Sequence, residues 1–427
     1  MQKIILYILI CLLFSFCVMS CNEKEANDEE SVYKAIIIWE SDLVSNALNE
    51  HTIHDDYIYF YERPPGHSSV NIYTLTKLDA NTGGFIWRSE ELFSDIVFCQ
   101  PIIIDEYVYV FLEPNYILCS NKDTGEHTTT IIVDINNQKL KFNWNTTNYK
   151  QYIYIGLYNY HYAYFARINT DDITHGSPEF IIDLSPEILW VPETENSVSA
   201  KQVFHNNTVY TSTYSPLALK HVELAGFDIN TKEIVFYKKF GGPEDIDSSF
   251  PEKGSYVDGN PILINGDIIY YLSCTISAWN LNTRKQLYRH TFNYDIPDSK
   301  WYTATNSLQP LFYNDKIYYT SGESYTPDSH RNTYCIDAKT GKLVWSAIAK
   351  NSESLRTNPI IANGKLFVSQ YSGLRVYNPE NGRLIGVDKS FCGQGSGRNI
   401  LYNDFLICLR SDRDTGDSRL VAVYVGE

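Results

Sequence analysis

Residues that could do chemistry recur in this sequence at a fixed place. Cys119 stands six residues before Gly125 and Cys335 six before Gly341, in a slot that Gly226, Ala278 and Val376 fill elsewhere. A thiol can be a nucleophile or a metal ligand, but a slot shared with Gly, Ala and Val reads as a small buried hydrophobe. Cys99, Cys274, Cys392 and Cys408 leave one pair to check as a disulfide, Cys392 with Cys408. Of ten histidines only His51 and His54 lie close together, and no zinc-ligand spacing is present. The run Asp412-Arg413-Asp414-Thr415-Gly416-Asp417 has the start of a calcium loop without its distal bidentate Glu, so it reads as a solvated turn. Gly393, Gly395 and Gly397 do not open a helix after a strand, and phosphate cradling is unsupported. The carboxylates Asp79, Asp228 and Asp337 and the aromatics Trp39, Trp87, Phe236, Tyr288 and Trp345 each repeat along the chain. A residue that recurs at a structural period serves turns and packing, not a single catalytic centre.

The elements that must position these residues come in two alternating patterns. The first is an apolar run, a polar two-residue turn and a second run rich in Tyr, Ile and Val: PIIIDEYVYVF from Pro101, PLFYNDKIYYT from Pro310 and PIIANGKLFVS from Pro359 are clear copies. Turn markers at 55, 105, 150, 206, 265, 314, 363 and 403 give eight hairpins spaced by 40 to 59 residues, with Asn-Gly and Asn-Asp tips suited to type I′ turns. The second pattern runs Asp or Asn, two residues, Thr, Gly, then a strand with an aromatic. Asp79 to Gly83 leads to Trp87 and Asp337 to Gly341 leads to Trp345. Asp or Asn starts such a turn by bonding its own backbone, and Gly takes the left-handed position. Each repeat is therefore two hairpins, or four antiparallel strands whose nearly continuous apolar runs require burial on both faces. Four-stranded sheets of about 50 residues around an axis make a propeller.

The eighth repeat stops one strand short, and residues 35–40 supply a strand with no hairpin before it. The expected fold is an all-β, eight-bladed propeller over residues 32–427, its last blade closed by the N-terminal strand. The third repeat is irregular: after Asn169 no Thr-Gly turn follows, and an insertion is expected before Glu195.

The N-terminus carries one Lys and an apolar run from Ile4 to Met19, too short for a spanning helix and read as an export signal. Residues 1–20 would be removed, and the acidic stretch 21–31 is a flexible tether. Val18-Met19-Ser20-Cys21 resembles the lipobox of bacterial lipoproteins, which implies cleavage before Cys21 and its lipidation, hence a cell-envelope location, most plainly the outer membrane. Formal charge is −16, and the loss of Lys3 makes it more negative; such a surface repels phosphate backbones and argues against nucleic acid as a partner. With 44% hydrophobic and 20% charged residues the chain should fold as a globular body, read as a monomer. Thirty-four tyrosines are the most unusual count. Those expected in loops, Tyr158, Tyr160, Tyr162, Tyr214 and Tyr325, are candidates for a binding face, since Tyr suits protein and sugar recognition.

Cys335-Ile336-Asp337-Ala338-Lys339-Thr340-Gly341-Lys342-Leu343-Val344-Trp345 closely resembles the repeat of the pyrroloquinoline quinone (PQQ) propeller superfamily, and Lys77 to Trp87 is a second copy. That resemblance implies the fold strongly and the function poorly, because the superfamily holds quinoprotein dehydrogenases and cofactor-free binding proteins. The quinoproteins imply a calcium-bound quinone and often a vicinal Cys-Cys pair; this chain has no Cys-Cys pair, no haem-attachment motif and no long inserts. A lipid-anchored eight-bladed ring instead resembles the BamB-type outer-membrane assembly lipoproteins. The expectation is a non-catalytic protein-binding scaffold without cofactor or metal, with glycan or small-ligand capture as the alternative and a PQQ-dependent dehydrogenase as a weaker one.

Overall fold

The computed structural model describes residues 33–426 except 42–50, 63–71, 91, 94–98, 136–139, 143–145, 159–162, 178, 193–196, 199–201, 215–221, 241–261, 273–274, 292–308, 322–330, 350–356, 371–372, 392–398 and 412–417. Its strands form eight sheets that follow one another along the chain. Blade 1 begins at His51–His54, and blades 2 to 7 begin at Ile102–Ile104, Thr147–Tyr149, Val203–His205, Ile262–Asn265, Leu311–Tyr313 and Ile360–Ala362. Blade 8 holds Ile400–Tyr402, Phe405–Ser411 and Ser418–Tyr424, and its fourth strand is Ile36–Glu40, antiparallel to Ser418–Tyr424. The ring is thus closed by strands from the two ends of the chain. First strands of neighbouring blades touch one another, as between blades 4 and 5, 5 and 6, and 7 and 8, which places them toward the axis.

Why the chain folds this way is visible in its turns. In every blade the first hairpin has a two-residue loop, and its first loop residue has positive φ: Asp55, Asp105, Lys150, Asn206, Gly266, Asn314, Asn363 and Asn403. Asn, Asp and Gly tolerate that conformation best. The one shift from expectation is in blade 5, where Asn265 still belongs to the strand and the loop is Gly266-Asp267. The two hairpins of a blade are tied together at one end, where the N–H of Ala80 donates to the Asp56 carbonyl at 2.8 Å and that of Ala338 to Asp315 at 2.9 Å. Equivalent bonds recur in blades 2, 3, 4, 5 and 8. Blade 7 has Pro379 at this position and no N–H to give.

Blade cores are filled from both sheet faces. Tyr59, Tyr109, Tyr154, Tyr270, Tyr318 and Tyr319 are among the largest fully buried side chains, and the clusters they join span adjacent blades, as Tyr59, Trp87 and Val108 do between blades 1 and 2. Blade 3 is where the irregularity lies. Asn169 caps a single 3-10 turn, Thr170–Asp172, and Glu179–Asp183 then leaves the blade to pair in parallel with His127–Asp134, the outer strand of blade 2. The fourth strand of blade 3 is only Ile188–Trp190.

Candidate binding faces

In blades 1, 2, 4, 5, 6 and 7 both hairpin turns sit at one end of the blade, and these turns line one face of the ring. Its second turns are built as the sequence suggested. The Asp79 carboxylate accepts from the N–H groups of Asn81 and Thr82, at 2.9 and 2.8 Å, and Gly83 has φ +69°. Asp228 and Asp337 do the same work in blades 4 and 6, which holds their carboxyls below the usual range through hydrogen bonds from the turn. These acids are committed to turns and are not poised for proton transfer.

The repeated aromatics lock each blade to the next. The indole Nε1 of Trp87 donates to the Lys122 carbonyl at 3.1 Å, that of Trp345 to Pro379 at 2.8 Å, and the Tyr288 hydroxyl to Ala338 at 2.7 Å. In each case the acceptor follows the Asp or Asn of the next blade's turn. Phe236 is buried beside Tyr210 at 6.0 Å between ring centroids but has no donor to offer.

Blades 2, 3 and 7 lack an aromatic at this position, Gly386 standing there in blade 7, and in blades 2 and 3 other side chains take over. In blade 3 the guanidinium of Arg167 reaches the Ile229 carbonyl of blade 4. Arg167 also pairs with Glu187 at 2.6 Å, and Glu187 with Lys232 at 2.6 Å, where Lys232 occupies the left-handed turn position that Gly holds elsewhere. Burial alone would raise the Glu187 carboxyl, but the two cations outweigh it and hold it below the ordinary value. In blade 2 the slot is taken by Thr129, and His175 arrives from blade 3 to stack on Tyr107, 3.7 Å between centroids and 6° between planes. Its Nδ1 lies 3.5 Å from Cys119 Sγ, and burial lowers its pKa. Neither Arg167 nor His175 was legible as a site residue, because the irregular repeat gave no period to place them against.

Burial pushes the Cys119 and Cys335 thiols up to about 11 and Cys408 up to about 12. All three are free and protonated at neutral pH; Cys392, the partner considered above for Cys408, lies outside the described residues. Cys99 is likewise buried. Beside the turn ends of blades 2 and 3 an open cleft of about 630 Å³ is lined by Ile103, Ile104, Asp105, Asn148, Lys150, Gln151 and Asp171. Of the candidate tyrosines, Tyr158 and Tyr214 end strands Tyr152–Tyr158 and Thr208–Tyr214 instead of lying in loops. Tyr158 pairs with Ala163 and Tyr214 with Ser197, so each ladder extends to the tyrosine. Tyr160, Tyr162 and Tyr325 lie outside the described residues, as do Cys21, Cys274, Cys392 and the 412–417 run.

Comparison with known proteins places this geometry. A profile described as outer membrane protein assembly factor BamB matches residues 273–390. The crystal structure of BamB from Moraxella catarrhalis superposes with a TM-score of 0.60 at 12% identity, covering 91% of this chain and 100% of that one. The fold resembles that of the PQQ-like propellers. A europium-containing methanol dehydrogenase superposes equally well, TM-score 0.61 at 11% identity, over 91% of this chain and 85% of its own. Quinohemoprotein alcohol dehydrogenase from Comamonas testosteroni gives 0.59 at 12% identity, over 92% and 77%. No curated protein matches. Among the described residues no three His, Cys, Asp or Glu side chains converge on a point.

Proposed function

We propose that this protein is a non-catalytic, lipid-anchored scaffold of the cell envelope that binds other proteins, in the manner of an outer-membrane assembly propeller. The observation that carries this reading is the extent of the likeness: BamB is covered over its whole length, whereas the two dehydrogenases retain further chain that this protein does not match. The profile match over blades 5 to 7 supports the same reading, and the lipobox-like Val18 to Cys21 supplies the anchor. The test is enzymatic. Purified protein given PQQ and calcium should reduce no dye with alcohols or sugars, and cofactor-dependent turnover would overturn the reading.

The cleft between blades 2 and 3 favours a second reading, capture of a small polar ligand or glycan. Its carboxylates Asp105 and Asp171, amides Asn148 and Gln151, and apolar floor of Ile103 and Ile104 offer donors and acceptors for hydroxyl groups. Specific binding on a glycan array that is lost on substituting Asp105 and Asn148 would favour it over the scaffold.

A further inference from the structure

In blades 1, 4 and 6 the joint aromatic meets an aromatic of the blade's own second strand in one recurring geometry. Trp87 lies 6.1 Å from Tyr59 with 61° between planes, Phe236 6.0 Å from Tyr210 with 66°, and Trp345 6.1 Å from Tyr318 with 54°. Blades 2 and 7 have Thr129 and Gly386 in the slot, and each borrows a ring from elsewhere in the chain. Tyr33, from the N-terminal segment, meets Phe367 of blade 7 at 6.4 Å and 68°. His175, from the blade 3 insertion, meets Tyr109 of blade 2 at 6.4 Å and 56°. Both borrowed rings thus copy the indole wedge. Trp, Phe and Tyr rings gain no charge between pH 5 and 8, whereas imidazole does, so of these five wedges His175 is the one that mild acid can charge.

His175 stands at the head of a strap between blades 2 and 3. Ile173 is buried in the core that the two blades share, and the Gly176 N–H donates to Thr129 Oγ1 at 2.9 Å. Strand Glu179–Asp183 then pairs in parallel with Thr130 to Asp134, and the Leu184 N–H donates to the Asp134 carbonyl at 2.9 Å. The strap covers an outer strand whose Ile131 and Val133 are fully buried, the kind of apolar edge that proteins keep from solvent. We propose that residues 173–177 and strand Glu179–Asp183 form an acid-released strap: protonation of His175 frees the segment from blade 2 and bares the edge from Thr130 to Asp134. The inference goes beyond the scaffold reading and does not depend on it.

The surroundings of His175 favour its neutral form. Its ring lies flat on Tyr107 at 3.7 Å between centroids, and Nδ1 is 3.5 Å from Cys119 Sγ. Burial holds the Tyr109 phenol and the Cys119 thiol above their ordinary values, so neither offers a negative charge to an imidazolium. The carboxylates of the packed elements, Asp105, Glu106, Asp171, Asp172 and Glu179, are exposed and act on it through water, where their attraction is weak. Asp183, opposite Asp134 in the ladder, is held below the usual carboxylate range by hydrogen bonds from Ser185 and keeps its charge in mild acid. The other histidine on these elements, His127, is exposed, with Nε2 3.1 Å from Thr130 Oγ1. Burial lowers the His175 pKa below its ordinary 6.5, so the strap is held fully above about pH 6.5 and progressively less as pH falls through the folded value.

The test is hydrogen exchange of the full-length protein at about pH 7.5 and about pH 5, with rates corrected for intrinsic chemical exchange. Protection of amides 130–134 and 179–184 should fall about fivefold or more at the lower pH, while amides 316–321 of blade 6 keep theirs. His175→Phe, which preserves the stacked ring, should show equal protection at both pH values, and His127→Gln should behave as the parent. No loss in the parent, an equal loss in His175→Phe, or abolition of the loss by His127→Gln would overturn the proposal. A matching loss in blade 6 would overturn it too, since the whole ring would then be loosening. Should His175→Phe not fold, the ring's own titration decides: the His175 Cε1 proton followed by NMR should move with a midpoint below 6.5, in step with the loss of protection, and a midpoint at or above that value would overturn the strap.

Discussion

The Trp39 indole, from the strand nearest the N-terminus, donates through Nε1 to the Ala80 carbonyl at 3.1 Å, joining blade 8 to blade 1. On the same contact a Cβ built on Gly83 would lie 2.5 Å from Trp39 Cε3. One aromatic ring, one carbonyl and one left-handed glycine thus form the joint that closes the circle, and the same joint recurs between blades 1 and 2 and between blades 6 and 7.

Substitutions at this joint should act in a graded order. Trp39→Phe keeps the ring but leaves the Ala80 carbonyl without its donor, a loss of about 1–3 kcal/mol. Trp39→Ala should cost about 3–5 kcal/mol. Gly83→Ala combines positive φ, worth about 1–2 kcal/mol, with a side chain driven into the indole. Urea unfolding of the three variants checks the order; equal stability of Trp39→Phe and parent would remove the hydrogen bond from the account.

The ionic joint of blades 3 and 4 predicts a pH dependence. Glu187 is held below its ordinary value of 4.5 by Lys232 and Arg167, so the folded state binds its proton less readily than the unfolded chain. Its contribution is complete above about pH 4.5 and is lost as pH falls through the lower folded value. Glu187→Gln should therefore melt several degrees below the parent at pH 7, leaving Arg167 buried without an anion, and the gap should narrow on acidification below about pH 4.5. A gap that stays constant from pH 7 to 3 would contradict this.

His175 predicts a second window. Burial against Tyr107, Tyr109 and Cys119 lowers its pKa below 6.5, so its neutral form stabilises the fold above about pH 6.5 and that stabilisation is lost as pH falls through the folded value. His175→Phe preserves the stack and removes the proton. Melting curves from pH 7.5 to 5 should fall less steeply for the variant than for the parent; parallel curves would show that His175 does not titrate with folding.

How much of this was legible follows from periodicity. The first-hairpin turns, the Thr-Gly turns and the closing strand were readable because each repeats, and repetition turns a weak local signal into a strong one. Blade 3 was flagged as irregular, but nothing in Glu179 to Asp183 announced that it would cross to blade 2. An acidic-ended FII run reads as a strand and carries no label for its partner. Arg167 was hidden for a related reason. It occupies the slot of Cys119, Gly226 and Val376, where small residues set the expectation, and only the geometry shows its guanidinium doing the work of an indole. Tyr158 and Tyr214 read as loop residues in the sequence because strand ends shift by a few residues against any sequence pattern.

Ring closure has its own test. Removing residues 32–42 takes away Ile36–Glu40 and Trp39 together, exposing Ser418–Tyr424 as an edge and opening the joint to Ala80. The truncated protein should unfold at a markedly lower temperature and aggregate more readily. A truncation that melts with the parent would contradict closure by the N-terminal strand.

The central claim, that this propeller holds a protein partner in the envelope, is tested most directly by cross-linking the tagged lipoprotein in its native membrane and identifying what is captured by mass spectrometry. The account predicts recovery of outer-membrane assembly components from the parent, with the Cys21→Ala form lost from the membrane fraction. Recovery of glycan-uptake proteins, or of no protein above the tag-only control, would contradict it.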